Sequence, residues 1–161
     1  MPTPASDVPA ATTGSSPSPA EPATEEIIVR AARAEDVDGI KSFIVPFVEA
    51  KKLLPRTTRE LKKLIQTGFV AIAGGKVVGF ATLEIYSKKL AELRSLCVDG
   101  NHQGMGIGKR LTKACLDLAR ERHIFEVMVI TSADQFFLTC GFDFTLPGEK
   151  KALFLQMREE P

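Results

Sequence analysis

Leu93-Arg94-Ser95-Leu96-Cys97-Val98-Asp99-Gly100-Asn101-His102-Gln103-Gly104-Met105-Gly106-Ile107-Gly108-Lys109 reads as a strand, a polar loop, a glycine-spaced turn and a helix start. Gly104, Gly106 and Gly108 alternate with Met105 and Ile107, and Lys109 and Arg110 follow. The first amides of a helix have no intrahelical acceptor, so such a turn is a ready anion site. Glycine lets a phosphate approach the backbone closely. The expected ligand is the pyrophosphate of a cofactor.

Outward from this stretch, Ile107, Leu111, Ala114, Cys115, Leu118 and Ala119 fall on one helical face, with Lys109, Lys113, Asp117, Arg120 and Glu121 mostly on the other. Upstream, Gly74-Gly75 separates Phe69–Ala73 from Lys76–Tyr86, which predicts a hairpin. Ser87-Lys88-Lys89 makes the next turn, and Leu90–Val98 is a third strand. Before these lie a short β-rich run, Ile27–Arg30, and a helix over Arg33–Phe47 that Pro46 is expected to bend or end. Thr57 and Glu60 form a capping-box pattern for a second helix that Gly68 should end.

Downstream, Phe125–Thr131 is nearly continuous in apolar residues and predicts a strand buried on both faces. A short helix over Asp134–Cys140 stops at Gly141. Phe142–Leu146 and Ala152–Met157 are expected as the last strands. The result is an α/β (α+β) domain over 25–161, a mixed sheet of about six to seven strands with about four helices. Residues 1–24 are rich in Pro, Ala, Ser and Thr, lack Lys and Arg, and read as a disordered tail.

A chain of 161 residues, 44% hydrophobic and 25% charged, suits one ordinary soluble domain. A net charge of +1 makes no electrostatic case for nucleic acid or an anionic membrane. No apolar run approaches the length of a membrane span. Cys97, Cys115 and Cys140 are odd in number and widely spaced, which favours buried free thiols in a reducing cytoplasm over disulfides or zinc. His102 lacks an acidic or Cys partner at metal-ligand spacing, and His123 suits a helix end, so no metal is expected.

The glycine spacing has rivals. A Rossmann unit needs a βαβ context and an acid ending the next strand, but three antiparallel strands come first and that strand ends in Ile130-Thr131. A Walker A loop needs four residues before Gly-Lys and then Ser or Thr. Neither fits, while a plain strand-to-helix turn stays open on spacing alone.

The longer pattern Leu93-x-x-Leu96-x-Val98, then Gln103-Gly104-Met105-Gly106-Ile107-Gly108, resembles the acetyl-CoA loop of the GNAT superfamily of N-acetyltransferases. Gly100 stands where that family has proline. The element order is similar too, as is Phe136-Phe137-Leu138-Thr139-Cys140-Gly141-Phe142 to its later aromatic helix before Gly-Phe. The resemblance implies a GNAT fold, acetyl-CoA as co-substrate and no metal. It implies pyrophosphate contacts from Gln103, Gly104, Met105, Gly106, Ile107, Gly108 and Lys109, and backbone contacts from Cys97 and Val98 to pantetheine and the thioester.

Three further segments resemble the acetyltransferase domain of N-acetylglutamate synthases, which open arginine biosynthesis. They are Leu54-Pro55-Arg56-Thr57-Thr58-Arg59-Glu60-Leu61, Glu92 before a short apolar run, and Leu146-Pro147-Gly148-Glu149-Lys150-Lys151-Ala152-Leu153-Phe154 ending in Arg158. Glutamate carries two carboxylates, and arginine binds a carboxylate in bidentate fashion. The resemblance therefore implies substrate contacts from Arg56 and Arg158. Singly, Arg56 reads better as a solvated helix cap and Arg158 as a frayed terminal charge; together with the motif matches, the substrate role is favoured. Glu159 and Glu160 replace an arginine and a serine of that family. The amino-acid-kinase domain that often precedes this domain is not seen, so a free-standing short form is expected.

An amino acid's ammonium must lose a proton before it attacks a thioester, and Glu92 is the candidate general base. Strict alternation back from Val98 puts Glu92 and Arg94 on one face, where a surface ion pair is the rival reading; a bulge would change that facing. Strand N–H groups near Cys97 and Val98 are placed to polarise the thioester carbonyl. Phe137 occupies the position where many relatives have an acidic tyrosine, so Ser132 or Thr131 is the substitute acid, or the thiolate leaves unassisted. Tyr86, the only tyrosine, reads as a strand-end surface residue.

The expected activity is acetyl transfer from acetyl-CoA to the α-amino group of L-glutamate in the cytoplasm. No nucleic-acid or membrane partner is expected, and a homodimer is a candidate assembly. The alternatives are acetylation of another small amine or a protein N-terminus, and an acetyl-CoA sensor without turnover.

Overall fold

Alternating apolar residues from Gly68 to Val98 build the centre of the molecule, three consecutive antiparallel strands joined by two tight turns. The computed structural model describes residues 25–144, 148, 152–155 and 157. In chain order the elements are β1 Ile27–Ala31, α1 Val37–Glu49, α2 Thr58–Leu64, β2 Gly68–Ala73, β3 Lys76–Ile85, β4 Leu90–Val98, α3 Ile107–Glu121, β5 Glu126–Met128 and α4 Asp134–Thr139. The strands lie in the order β1-β2-β3-β4-β5. Every neighbouring pair is antiparallel except β4–β5, which is parallel across the α3 crossover.

Helices cover both faces. On one, Ile107, Leu111, Cys115 and Ala119 of α3 pack on Ala71, Ala81, Leu83, Ala91 and Leu93. On the other, Val37, Ile40 and Ile44 of α1 and Leu61 of α2 pack on Val70, Phe80 and Cys97. Gly79 lets α3 sit close: a Cβ there would come within 2.9 Å of Leu111 Cδ1 and 3.1 Å of Ile107 Cγ2. The Thr57–Glu60 capping box is formed, with Glu60 N–H donating to Thr57 Oγ1 at 3.2 Å and Thr57 N–H donating to Glu60 Oε2 at 2.7 Å.

Three expectations change. Pro46 lies inside α1, which continues to Glu49; proline near the end of a helix removes one internal bond without preventing a last turn. The expected buried strand Phe125–Thr131 is reduced to Glu126–Met128, and it is not buried on both faces. The described residues contain five strands rather than six to seven, because 142–144, 152–155 and 157 carry no strand assignment. The remaining residues expected in those last strands lie outside the described residues, as do Lys150, Lys151, Arg158 and residues 1–24.

β5 pairs with only the start of β4 and then diverges from it. Only Leu90, Ala91 and Glu92 match Glu126, Val127 and Met128. Farther along, the β3–β4 register jumps from Thr82↔Arg94 to Phe80↔Cys97, and Ser95 has φ +57. An extra residue in one strand bends that strand and increases its twist. The C-terminal half of β4 therefore has β3 on one edge and no paired strand on the other among the described residues.

Candidate active site

A cleft of about 660 Å³ lies where β4 leaves β5. Leu96, Cys97 and Val98 form its floor, the loop from His102 to Lys109 one wall, and Ala133 and Phe136 another. Phe47, Lys52 and Leu53, from the end of α1 and just beyond, complete it. Of the residues expected at a cofactor loop, Cys97, Val98, Gln103, Gly104, Gly106, Ile107, Gly108 and Lys109 all meet here. Met105 is not among the lining residues and is 57% exposed.

The glycines serve different ends. Gly104 and Gly106 have φ +80 and +76, and a Cβ on either would meet nothing within 4 Å. That is open space in front of a left-handed backbone. Gly108 instead makes room for an aromatic ring, since a Cβ there would come within 3.2 Å of Phe136 Cζ. Gly106 caps α3, and the first turn bond is Arg110 N–H to Gly106 C=O at 3.0 Å. The amides of Ile107, Gly108 and Lys109 precede it and have no acceptor within the helix. A pyrophosphate, with its many acceptor oxygens, fits this cradle, and an extended amide arm fits the edge of β4 beyond Glu92, which has no paired strand among the described residues.

His102 is held by Asp99, whose Oδ2 lies 2.7 Å from Nδ1. The Asp99 carbonyl also takes the His102 N–H at 2.9 Å. This pairing within a short 3-10 turn is an acidic contact that the sequence reading did not assign. Among the described residues no group of three or more His, Cys, Asp or Glu side chains is arranged to hold a metal.

Cys97 Sγ turns from the cleft toward the Ser95 and Phe80 carbonyls, at 3.4 and 3.9 Å. Burial pushes its thiol up to about 12. A neutral thiol is a poor nucleophile. The aromatic that reaches the cleft is Phe136; Phe137 is 5% exposed and stacks edge-on against Phe136 and Phe142 in the core. Ser132 is exposed beside Ala133, and Thr131 Oγ1 accepts the Ala133 N–H at 2.9 Å.

The bulge at Ser95 decides where Glu92 faces. Strict alternation would leave Glu92 on the Val98 side. The extra residue instead sends Leu93 and Ala91 to the α3 side with Val98, and Glu92 and Arg94 to the side of Cys97. Glu92 is 7% exposed, which removes the surface-pair reading. Its Oε2 accepts a hydrogen bond from the Tyr86 hydroxyl. Arg94 Nη1 donates to Glu84 Oε2 at 2.6 Å, while its Nε is 3.8 Å from Glu92 Oε1. Tyr86 is the strand-end surface residue expected, 51% exposed, and its hydroxyl in addition reaches Glu92. Partial burial and then the bond to Glu92 push its phenol up to about 12. No local pattern announces this contact, because it depends on the register across the turn at Ser87–Lys89.

Arg56 lies just before α2, half-buried, and its Nε is buried with no hydrogen-bond partner among the described residues. An orphaned buried donor calls for an explanation, and a ligand is one. Neither Arg56 nor Glu92 lines the cleft itself. No described helix is long and apolar enough to cross a membrane.

The model of the acetyltransferase (GNAT) family matches residues 39–142. An amino-acid acetyltransferase of Mycobacterium tuberculosis is 34% identical over 118 residues, covering 71% of this chain and 67% of that protein. Among solved structures, Rv2747 of M. tuberculosis, in complex with CoA and NLQ, superposes with a TM-score of 0.69 at 32% identity, covering 78% of this chain and 76% of that one. The N-acetylglutamate synthase of Neisseria gonorrhoeae, complexed with coenzyme A and N-acetyl-glutamate, superposes with a TM-score of 0.64 at 24% identity. That match covers 71% of this chain and 27% of the Neisseria protein, so the likeness is one of fold over part of a longer molecule.

Proposed function

The chain belongs to the acetyltransferase (GNAT) family, and on that premise we propose that it acetylates the α-amino group of L-glutamate with acetyl-CoA as donor. The observation that carries the donor half is the cleft where β4 leaves β5, with its open glycine cradle at the start of α3. In this reading Gln103, Gly104, Gly106, Ile107, Gly108 and Lys109 take the pyrophosphate, and Met105, outside the cleft lining, only spaces the glycines. The edge at Cys97 and Val98, without a paired strand among the described residues, takes the pantetheine arm and directs N–H groups at the thioester carbonyl, where negative charge develops.

The acceptor half rests on the amino-acid acetyltransferase relative, on Arg56 and on Glu92. Arg56 supplies a guanidinium with a free buried N–H for a substrate carboxylate. Arg158 is the second carboxylate partner. Glu92 takes a proton from the substrate ammonium, directly or through a water, and the amine attacks the thioester. The sulfur leaves as a thiolate, and Ser132 is assigned to protonate it. Such an activity places the chain at the first step of arginine biosynthesis, in the cytoplasm.

The test is thiol release from acetyl-CoA with each amino acid in turn. Glutamate should give the highest kcat/KM, and Arg56→Met should raise the KM for glutamate about tenfold or more, as expected for a lost charged hydrogen bond. A non-acidic amine preferred over glutamate refutes the acceptor assignment. Acetyl-CoA binding without turnover on any amine refutes the enzyme reading in favour of a sensor.

A further inference from the structure

The two carboxylate oxygens of Glu92 have different surroundings. Oε2 accepts the Tyr86 hydroxyl hydrogen. Oε1 has no hydrogen-bond donor among the described residues, since Arg94 Nε, at 3.8 Å, is out of range. Arg94 hydrogen-bonds Glu84 at 2.6 Å and keeps only a looser ion pair to Oε1. Resting on the reading of Glu92 as the base, we propose that Tyr86 is a positioning residue that fixes Glu92 through Oε2, so that Oε1 is the oxygen that receives the proton of the incoming amine.

The backbone around Tyr86 is tied down. Its N–H donates to the Leu90 carbonyl at 3.1 Å, and Ser87 N–H donates to the same oxygen at 3.1 Å. The turn that ends β3 and starts β4 thus holds the phenol beside Glu92. A carboxylate torsion is otherwise broad and nearly two-fold, so a lone Glu92 would sample many orientations. One bond to Oε2 selects a single orientation. The reason to expect a kinetic effect is geometric, because proton transfer demands hydrogen-bond distance and alignment. The phenol, pushed up to about 12, remains a donor at any working pH.

Glu84 adds a second reason for the clamp. It pairs directly with Glu92 across β3 and β4, and two like charges there repel. Arg94 neutralises Glu84, and the Tyr86 hydroxyl turns the Glu92 carboxylate by its other oxygen. Each acidic group therefore has its own partner. The proton taken by Oε1 leaves to water after transfer, and the Tyr86 hydroxyl keeps its own proton throughout.

The experiment compares wild type, Tyr86→Phe, Glu92→Gln and the double variant in the thiol-release assay with acetyl-CoA and glutamate. Tyr86→Phe should lower kcat about tenfold with the KM for acetyl-CoA unchanged, the signature of a lost orienting contact. In the Glu92→Gln background the same substitution should cost nothing further. If Glu92→Gln is as active as wild type, the base reading falls and this inference falls with it. If Glu92→Gln is impaired but Tyr86→Phe is not, this inference alone is wrong. If Tyr86→Phe costs the same in both backgrounds, Tyr86 does not act through Glu92, and the inference is also wrong.

A second readout needs no Tyr86 variant. The chain has one tyrosine and no tryptophan, so its tyrosine emission reports Tyr86 alone. A carboxylate bonded to a phenol quenches that emission, so Glu92→Gln should brighten it at neutral pH. Unchanged emission shows that the contact is not made and overturns the proposal.

Discussion

Glu84 and Glu92 stand directly opposite each other on β3 and β4, and both point to the α1–α2 side of the sheet. Arg94, two residues beyond Glu92, bonds Glu84 at 2.6 Å and lies 3.8 Å from Glu92. One guanidinium therefore separates two carboxylates that the strand register forces together. Arg94→Met keeps most of the side-chain bulk and removes the charge. It should destabilise the protein by roughly 1–2 kcal/mol, the scale of a lost charged hydrogen bond plus cross-strand repulsion. Urea denaturation at pH 7 measures this, and Glu84→Gln in the same background should restore part of the loss.

Asp36 makes a second buried acidic contact, remote from the cleft. It is 8% exposed and receives Arg30 through both carboxylate oxygens, at 2.7 and 2.8 Å, and the Arg33 N–H at 2.7 Å. The Arg30 hydrogen bond, opposed by desolvation, holds its carboxyl below the ordinary 3.8. A depressed folded-state value means stabilisation that is fully present above the unfolded value and lost as pH falls through the folded one. Asp36→Asn should thus cost about 2 kcal/mol at pH 7 by breaking a buried charged pair. The difference from wild type should shrink below about pH 4, as wild type protonates Asp36 itself. Urea curves at pH 7 and pH 3 decide it; an equal difference at both would refute the linkage.

Gly106 caps α3 in the left-handed conformation with open space before it. Gly106→Ala places no atom against protein, so its cost is conformational, about 1–2 kcal/mol. If the cap is also the pyrophosphate cradle, calorimetry should show the affinity for CoA falling about tenfold, since the added methyl stands where the phosphate approaches. Equal CoA affinity in a variant with a lowered melting temperature would make Gly106 a purely structural residue.

The three cysteines differ in environment. Cys97 and Cys115 are buried, and burial pushes both thiols up to about 12; Cys140 is half-buried. In the native protein at pH 8, a thiol reagent should label Cys140 and spare the other two, and denaturant should release all three. Rapid native labelling of Cys97, located by peptide mapping, would contradict the burial of its Sγ in the cleft floor.

The elements that residue pattern predicted well are those with local causes. The capping box at Thr57 and Glu60, the Gly74-Gly75 turn, the limits of β4 and the helix after Gly106 all depend on residues within a few positions of one another. The cleft walls from Phe47, Lys52 and Leu53 escaped notice because nothing nearby in sequence marks them; they meet the loop only when α1 packs on the sheet. The short β5 was misread for a related reason. Phe125 and Ile130 look like core residues, yet they are 78% and 58% exposed, because the strand between them, Glu126–Met128, pairs with only the first three residues of β4 and both lie outside that pairing.

Element order, the glycine turn and the candidate acetyl-CoA loop were therefore legible in the residues alone, since caps, turns and helix faces are set by short-range geometry. The facing of Glu92 was not. It hangs on one extra residue at Ser95, and a one-residue slip reverses every side chain beyond it. Whether that slip occurs is settled by pairing with β3 and packing against two helical layers. The Tyr86–Glu92 contact, the Glu84–Arg94 pair and the opening between β4 and β5 all follow from that long-range register.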